Sequence, residues 1–99
     1  MRFGLTVPNL GEYADVELLG DLAATAEASG WDGFFLWDHI LYRREPVFAA
    51  VDPWIALSVV AMRTSRLVLG PMVTPLARRR PAVVARQVTT AGQIGRAHV

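Results

Sequence analysis

Ninety-nine residues, 53% of them hydrophobic, suffice for one small globular core and exclude a disordered chain. A net charge of +1, with arginine at all ten basic positions, gives no field for nucleic acid or an acidic membrane surface. The lack of cysteine excludes a disulfide framework and a thiolate metal site. No apolar run approaches the ~20 residues of a membrane span. The start, Met1-Arg2-Phe3-Gly4-Leu5, does not read as a signal peptide, so a cytoplasmic protein is expected.

Residues 3–7 form a strand candidate closed by Pro8, which cannot donate in a central ladder. A loop through Asn9 and Tyr13 follows. Over residues 15–29, Leu18, Leu19, Leu22, Ala23 and Ala26 recur at steps of three and four, with Glu17, Asp21 and Glu27 opposite. That spacing predicts an amphipathic helix, ended by Gly30. Asp32 reads as a turn former.

Residues 33–37 make the continuous apolar run of a strand buried on both faces, as a parallel sheet requires. The run ends abruptly in Asp38-His39. Ligands of parallel α/β folds collect at the carboxyl ends of strands, where this carboxylate and imidazole sit. A histidine there can act as general acid or base near neutral pH, and the aspartate can orient a ring or accept a hydrogen bond. A capped loop with a satisfied imidazole is the plainer alternative. Asn9, just past the first strand, shares that rim and is a candidate lining residue.

The loop over 38–51 carries Arg43 and Arg44, for which a surface role is favoured over phosphate binding. Asp52-Pro53 predicts a helix start, a capping carboxylate followed by proline in the first turn. That helix runs to about residue 64 and is apolar on nearly every side, through Trp54, Ile55, Leu57, Val59, Val60 and Met62. Residues 67–70 are a third strand. Gly70-Pro71-Met72-Val73 at its exit suggests a bulge or a strained peptide. Arg78-Arg79-Arg80 could hold phosphate, but a solvated loop or a subunit contact is favoured. Trp31, Trp37 and Trp54 read as packing residues. Pro81 opens a third helix, to about residue 90.

The alternation of strand and helix argues for parallel βαβ units. A closed (β/α)8 barrel and an open doubly wound sheet both satisfy it. No G-x-G-x-x-G or P-loop motif is present. Residues 94–99 match six for six the translation, in one frame, of a common sequencing adapter. They are expected to be a non-native tail, which sets His98 aside as a ligand, with residues 1–93 the front of one longer domain.

Taken together, several segments resemble the N-terminal third of the bacterial luciferase-like monooxygenases, also called luciferase-like flavin-dependent oxidoreductases. They are Phe3-Gly4-Leu5, Gly30-Trp31-Asp32-Gly33, Phe35-Leu36-Trp37-Asp38-His39 and Asp52-Pro53-Trp54. Further on come Leu69-Gly70-Pro71-Met72-Val73-Thr74-Pro75 and Arg80-Pro81-Ala82 with Ala85-Arg86-Gln87. The resemblance implies a (β/α)8 TIM barrel of the bacterial luciferase-like type, with only the first three βα units present. It also implies reduced FMN or the deazaflavin coenzyme F420 at the carboxyl-end mouth, and a small organic substrate.

In family members of the deazaflavin type, the position matching His39 lies beside the reactive ring and does acid or base work. The position matching Asp38 touches the ring or its hydroxyl. Many members join the residues matching Met72 and Val73 by a non-prolyl cis peptide that buttresses the ring's back face. Asp38 and His39 are therefore the expected catalytic residues, and Asp38, His39, Met72, Val73 and Asn9 the expected cofactor-binding ones. The complete enzyme is expected to be a homo-oligomer, with a flavin reductase as a candidate partner, and this piece alone to be inactive. The alternatives are a non-catalytic barrel homologue and a small open-sheet binding domain of the flavodoxin type.

Overall fold

The computed structural model describes residues 1–40 and 48–94. The expected alternation is present: β1 (Gly4–Val7), α1 (Val16–Ala28), β2 (Gly33–Leu36), α2 (Pro53–Arg63), β3 (Val68–Pro71) and α3 (Pro81–Gln93). Short 3-10 turns lie at Gly11–Tyr13 and Leu76–Arg78. Local chemistry sets the helix ends. Asp15 accepts from the Glu17 and Leu18 N–H groups at 3.0 and 3.2 Å, and Asp52 from Trp54 and Ile55 at 2.8 and 3.0 Å. Gly30 takes φ 93° just past α1, a conformation that strains any residue with a Cβ. α3 runs on to Gln93 rather than ending near Thr90, because Ala91 is buried against the core.

The strands are parallel, in the order β1-β2-β3. Register places Leu5, Phe34 and Leu69 side by side, and Thr6, Phe35 and Gly70 side by side. Side chains alternate along each strand, so these two rows lie on opposite faces. The first face is the core: Phe34, Leu36 and Leu69 are buried with Leu19 and Ala23 of α1 and Leu57 and Val60 of α2. α1 packs on α2, and α2 on α3. β1 thus lies at one edge, beside β2 alone. A flavodoxin-type sheet would place β1 between β2 and β3, so that alternative is overturned by the strand order.

One buried stripe differs from expectation. Leu18 is exposed, and the face of α1 that meets α2 is Leu19, Gly20, Ala23 and Ala26. Gly20 belongs there because a Cβ would stand 3.1 Å from Nη1 of Arg63 and 3.4 Å from Val59. On α2, Ile55 and Met62 face outward. β2 is sealed only on its helix side. Phe35, on the other face, is half-buried, and its ring lies across the two strands where a Cβ on Gly33 or Gly4 would meet it at 2.7 or 2.8 Å. Thr6 and Val68 on that face are exposed, and all three helices pack on the opposite one.

The register of β3 continues unbroken through Pro71, so the expected bulge is not within this strand, and the chain bends at Met72. Val68 donates to Asp32 O at 3.0 Å and Met72 to Leu36 O at 2.7 Å. By alternation the main-chain N–H of Leu69 and the nitrogen of Pro71 point away from β2, which places the residue lacking an N–H on the free edge.

At the other end of the sheet, Glu27 ties α1 to the entrance of β3. Its carboxylate accepts N–H bonds from Ser65, Arg66 and Leu67, at 3.0, 2.8 and 3.1 Å. The Arg66 guanidinium in turn donates to the Glu27 and Trp31 carbonyls, closing the end of α1. Burial pushes the Glu27 carboxyl up, but the N–H donors of Arg66, Ser65 and Leu67, with the Arg66 charge, more than offset this and hold it below its ordinary value of 4.5. A carboxyl with a lowered folded value stabilises fully above the unfolded value, and that contribution is lost as pH falls through the folded one. Stability should therefore drop below about pH 4.5 more steeply in the parent than in Glu27→Gln. Chemical unfolding midpoints between pH 3 and 7 check this; parallel curves would refute it.

Candidate functional site

Asn9, immediately after β1, organises the carboxyl end of the sheet. It is fully buried, and its Nδ2 donates to the carbonyls of His39 at 2.8 Å and Val51 at 2.7 Å. Its Oδ1 accepts from the His39 N–H at 3.1 Å, and its own carbonyl from the Val51 N–H at 3.0 Å. Both amide hydrogens and the amide oxygen are thus committed to main chain. The lining role expected of Asn9 is corrected by this burial: it fixes the loop after β2 against the approach to α2, from beneath the surface.

Asp38 follows β2 by one turn of the pleat, and its side chain is 2% exposed. Arg79 grips the carboxylate with two bonds, Nε to Oδ2 at 2.9 Å and Nη2 to Oδ1 at 2.7 Å. Neighbouring Arg78 donates from Nη2 to the Asp38 carbonyl at 2.5 Å, and stands 3.7 Å from Oδ1. This fork-on-carboxylate geometry is the strong form of an ion pair. The hydrogen bond to Asp38 raises the Arg79 guanidinium's proton affinity against the opposing effect of burial, with the Asp38 and Asp52 charges adding to it.

His39 lies next to this pair, with its ring 5.3 Å from that of Trp37 at 43°. Both rings border an open cavity of about 700 Å³. One wall comes from the end of β2, with Trp37, Asp38, His39 and Ile40; the other from beyond β3, with Met72, Val73, Pro75 and Arg78. Met72 and Val73 are exposed apolar side chains there. Four of the five residues singled out in the sequence therefore share one cavity: Asp38, His39, Met72 and Val73. The fifth, Asn9, supports it.

The cavity offers apolar walls, one imidazole and one guanidinium that has no other hydrogen bond among the described residues than that to Asp38. That set suits a flat, largely apolar ligand with oxygen acceptors on its edge. No cluster of three metal-ligating side chains occurs among the described residues. The role of Arg79 was hidden in the sequence, where a run of three arginines reads as surface. Arg80 precedes α3 and is exposed. Trp54 is buried as expected, Trp31 meets Phe3 edge-on, and Trp37 joins the cavity wall. Arg43, Arg44 and His98 lie outside the described residues.

The family profile described as luciferase-like monooxygenase matches residues 1–97. Among curated proteins, an F420-dependent glucose-6-phosphate dehydrogenase of Nakamurella multipartita is 39% identical over 79 residues, 77% of this chain and 23% of that protein. One from Mycolicibacterium fortuitum is 39% identical over 82 residues, 82% of this chain and 24% of that protein. The chain therefore spans about a quarter of the length of the relatives it matches. Two solved structures share its fold. A coenzyme F420 dependent tetrahydromethanopterin reductase from Methanopyrus kandleri superposes with a TM-score of 0.79 at 22% identity, over 95% of this chain and 24% of that one. The oxygenating constituent of 3,6-diketocamphane monooxygenase from Pseudomonas putida, in complex with FMN, gives 0.76 at 21% identity, over 98% and 28%.

Proposed function

Because this chain belongs to the luciferase-like monooxygenase family, we propose that it is the N-terminal part of a flavin- or deazaflavin-dependent oxidoreductase acting on a small organic substrate. The observation that carries the reading is the convergence of the β2 and β3 ends on one apolar-walled cavity that includes an imidazole. The barrel reading is supported by the consecutive order of parallel strands, with helices on one face and an open face opposite. Later strands of a longer polypeptide would cover that face and pair with the outer edges of β1 and β3. The non-native origin of residues 94–99 remains part of this proposal.

The residues present fit a tricyclic (deaza)flavin ring. Met72 and Val73 would offer an apolar surface to the ring, and Trp37 and Ile40 would add apolar wall beside it. Arg78 has N–H donors to offer an acceptor on the ring or substrate. His39 holds or moves a proton at its imidazole. The bound cofactor supplies the two-electron redox chemistry. The curated relatives named above are F420-dependent, whereas one structural neighbour holds FMN.

The test is an absorbance and fluorescence titration of the longer polypeptide with FMN and with F420, followed by turnover of the one that binds. His39→Ala is expected to keep cofactor affinity within a few-fold and to lose roughly 10²- to 10⁴-fold in kcat. Failure to bind either cofactor would point to a non-catalytic homologue, and an unchanged kcat in His39→Ala would remove the imidazole from the chemistry.

A further inference from the structure

We infer that Arg79 is a positioning residue for His39, and that Asp38 serves the site through Arg79 rather than by touching a bound molecule. From the proposed function this takes only that His39 works in the cavity. The two peptide groups flanking the His39 Cα are both held. The Asp38–His39 peptide is gripped at its carbonyl by Arg78 and at its N–H by Asn9, and the next peptide is gripped at its carbonyl by Asn9. With both planes fixed, φ and ψ of His39 are set, and only its side-chain torsions remain. Trp37 stands beside the ring.

One of these grips depends on Arg79. Arg78 ends the 3-10 turn Leu76–Arg78, and Arg79 closes it by donating its N–H to Leu76 O at 3.1 Å. The turn is anchored across a sequence separation of 41 residues by the bidentate bond from Arg79 to Asp38. That bond places Arg78 over the Asp38 carbonyl. It also ties the loop bearing Met72 and Val73 to the loop bearing His39, so it sets the width of the cavity between them. A buried ion pair is weak as a source of stability beside apolar packing, but a guanidinium fork on a carboxylate admits one orientation. Both Asp38 oxygens already have partners and the side chain is 2% exposed, so a ligand reaching it would have to displace Arg79.

Three forms of the longer polypeptide, labelled at histidine, separate the possibilities: the parent, Arg79→Lys, and the double variant Asp38→Asn/Arg79→Gln. Lysine keeps the charge but not the fork; the amide pair keeps hydrogen bonding without charge. The parent is expected to give a single narrow His39 imidazole resonance. Arg79→Lys is expected to broaden or split it while amide exchange of β2 is unchanged, and to lower kcat roughly 10- to 100-fold with KM for the cofactor within about threefold. The double variant should recover the single resonance and most of the kcat. An unaltered resonance and kcat in Arg79→Lys would overturn the inference. So would a double variant that recovers the resonance but loses cofactor affinity, since Asp38 would then contact the cofactor directly. Should Arg79→Lys fail to fold, Asp38→Ala/Arg79→Ala, which removes the link and buries no unpaired charge, is expected to broaden or split the resonance, and an unaltered resonance there would overturn the inference. The resonance reads positioning even if neither cofactor binds, so failure here and failure of the proposed function are distinguishable.

Discussion

Replacing Asn9 by aspartate, a change of one amide nitrogen to oxygen, is expected to lower stability by about 3–5 kcal/mol, the range for an uncompensated buried charge. Shape is conserved, so no cavity forms and no packing is lost. What changes is that two donors are lost and a buried negative charge is gained. In the parent, Nδ2 points its hydrogens at two carbonyls, 2.8 and 2.7 Å away, inside a residue with no exposure. A carboxylate would set an anionic oxygen against both. Protonation would relieve the charge but return only one hydrogen where two are needed. Asn9→Ala should cost less, because a cavity the size of an amide can admit a water that serves the same carbonyls. Denaturant midpoints of the two variants at pH 7 give the comparison. An aspartate variant no less stable than the alanine one would mean that the amide is not the brace described.

The second large effect separates two adjacent phenylalanines. Phe34→Ala removes a ring with 0% exposure from the centre of the helix-side core, for which a loss of about 3–5 kcal/mol is expected. Phe35→Ala should cost clearly less in the 99-residue chain, because that ring is half-buried on a face no helix covers. In the longer polypeptide the difference should narrow, since the face bearing Phe35 would become interior. Equilibrium unfolding of both substitutions in both lengths tests the barrel reading without any cofactor. Equal costs at Phe34 and Phe35 in the short chain would contradict the two-faced description of β2, and a difference that did not narrow in the long one would count against closure.

The elements were legible because their signals are local. Asp52-Pro53 reads as a helix start in sequence and caps α2 in space, and Gly30 ends α1 with the positive φ its residue type allows. The position of Asp38-His39 after an apolar run follows from strand polarity alone, and Met72 and Val73 reach the same cavity because β2 and β3 are parallel neighbours. What stayed hidden depends on partners far along the chain. Nothing local distinguishes Arg79 from Arg80, yet the first holds a buried carboxylate and the second faces solvent. Asn9 looked like a rim residue because its distance from β1 was readable and the direction of its side chain was not. Leu18 matched the helical stripe within one residue, which is the angular width that α2, and not α1, decides.

The cradle around Glu27 lies at the amino ends of the strands, whereas Asp38, His39 and Arg79 gather beyond the carboxyl ends. A protein engineer therefore meets two poles that share a sheet but no side-chain contact. Substitutions at Ser65 and Arg66 are expected to act on stability with little effect on the cavity. At the other pole Asn9 and the Asp38–Arg79 pair brace the fold as well as the cavity, so exchanges there are expected to cost stability. That asymmetry makes the amino pole the place to begin a directed-evolution campaign in which reserve stability is accumulated before the mouth is altered.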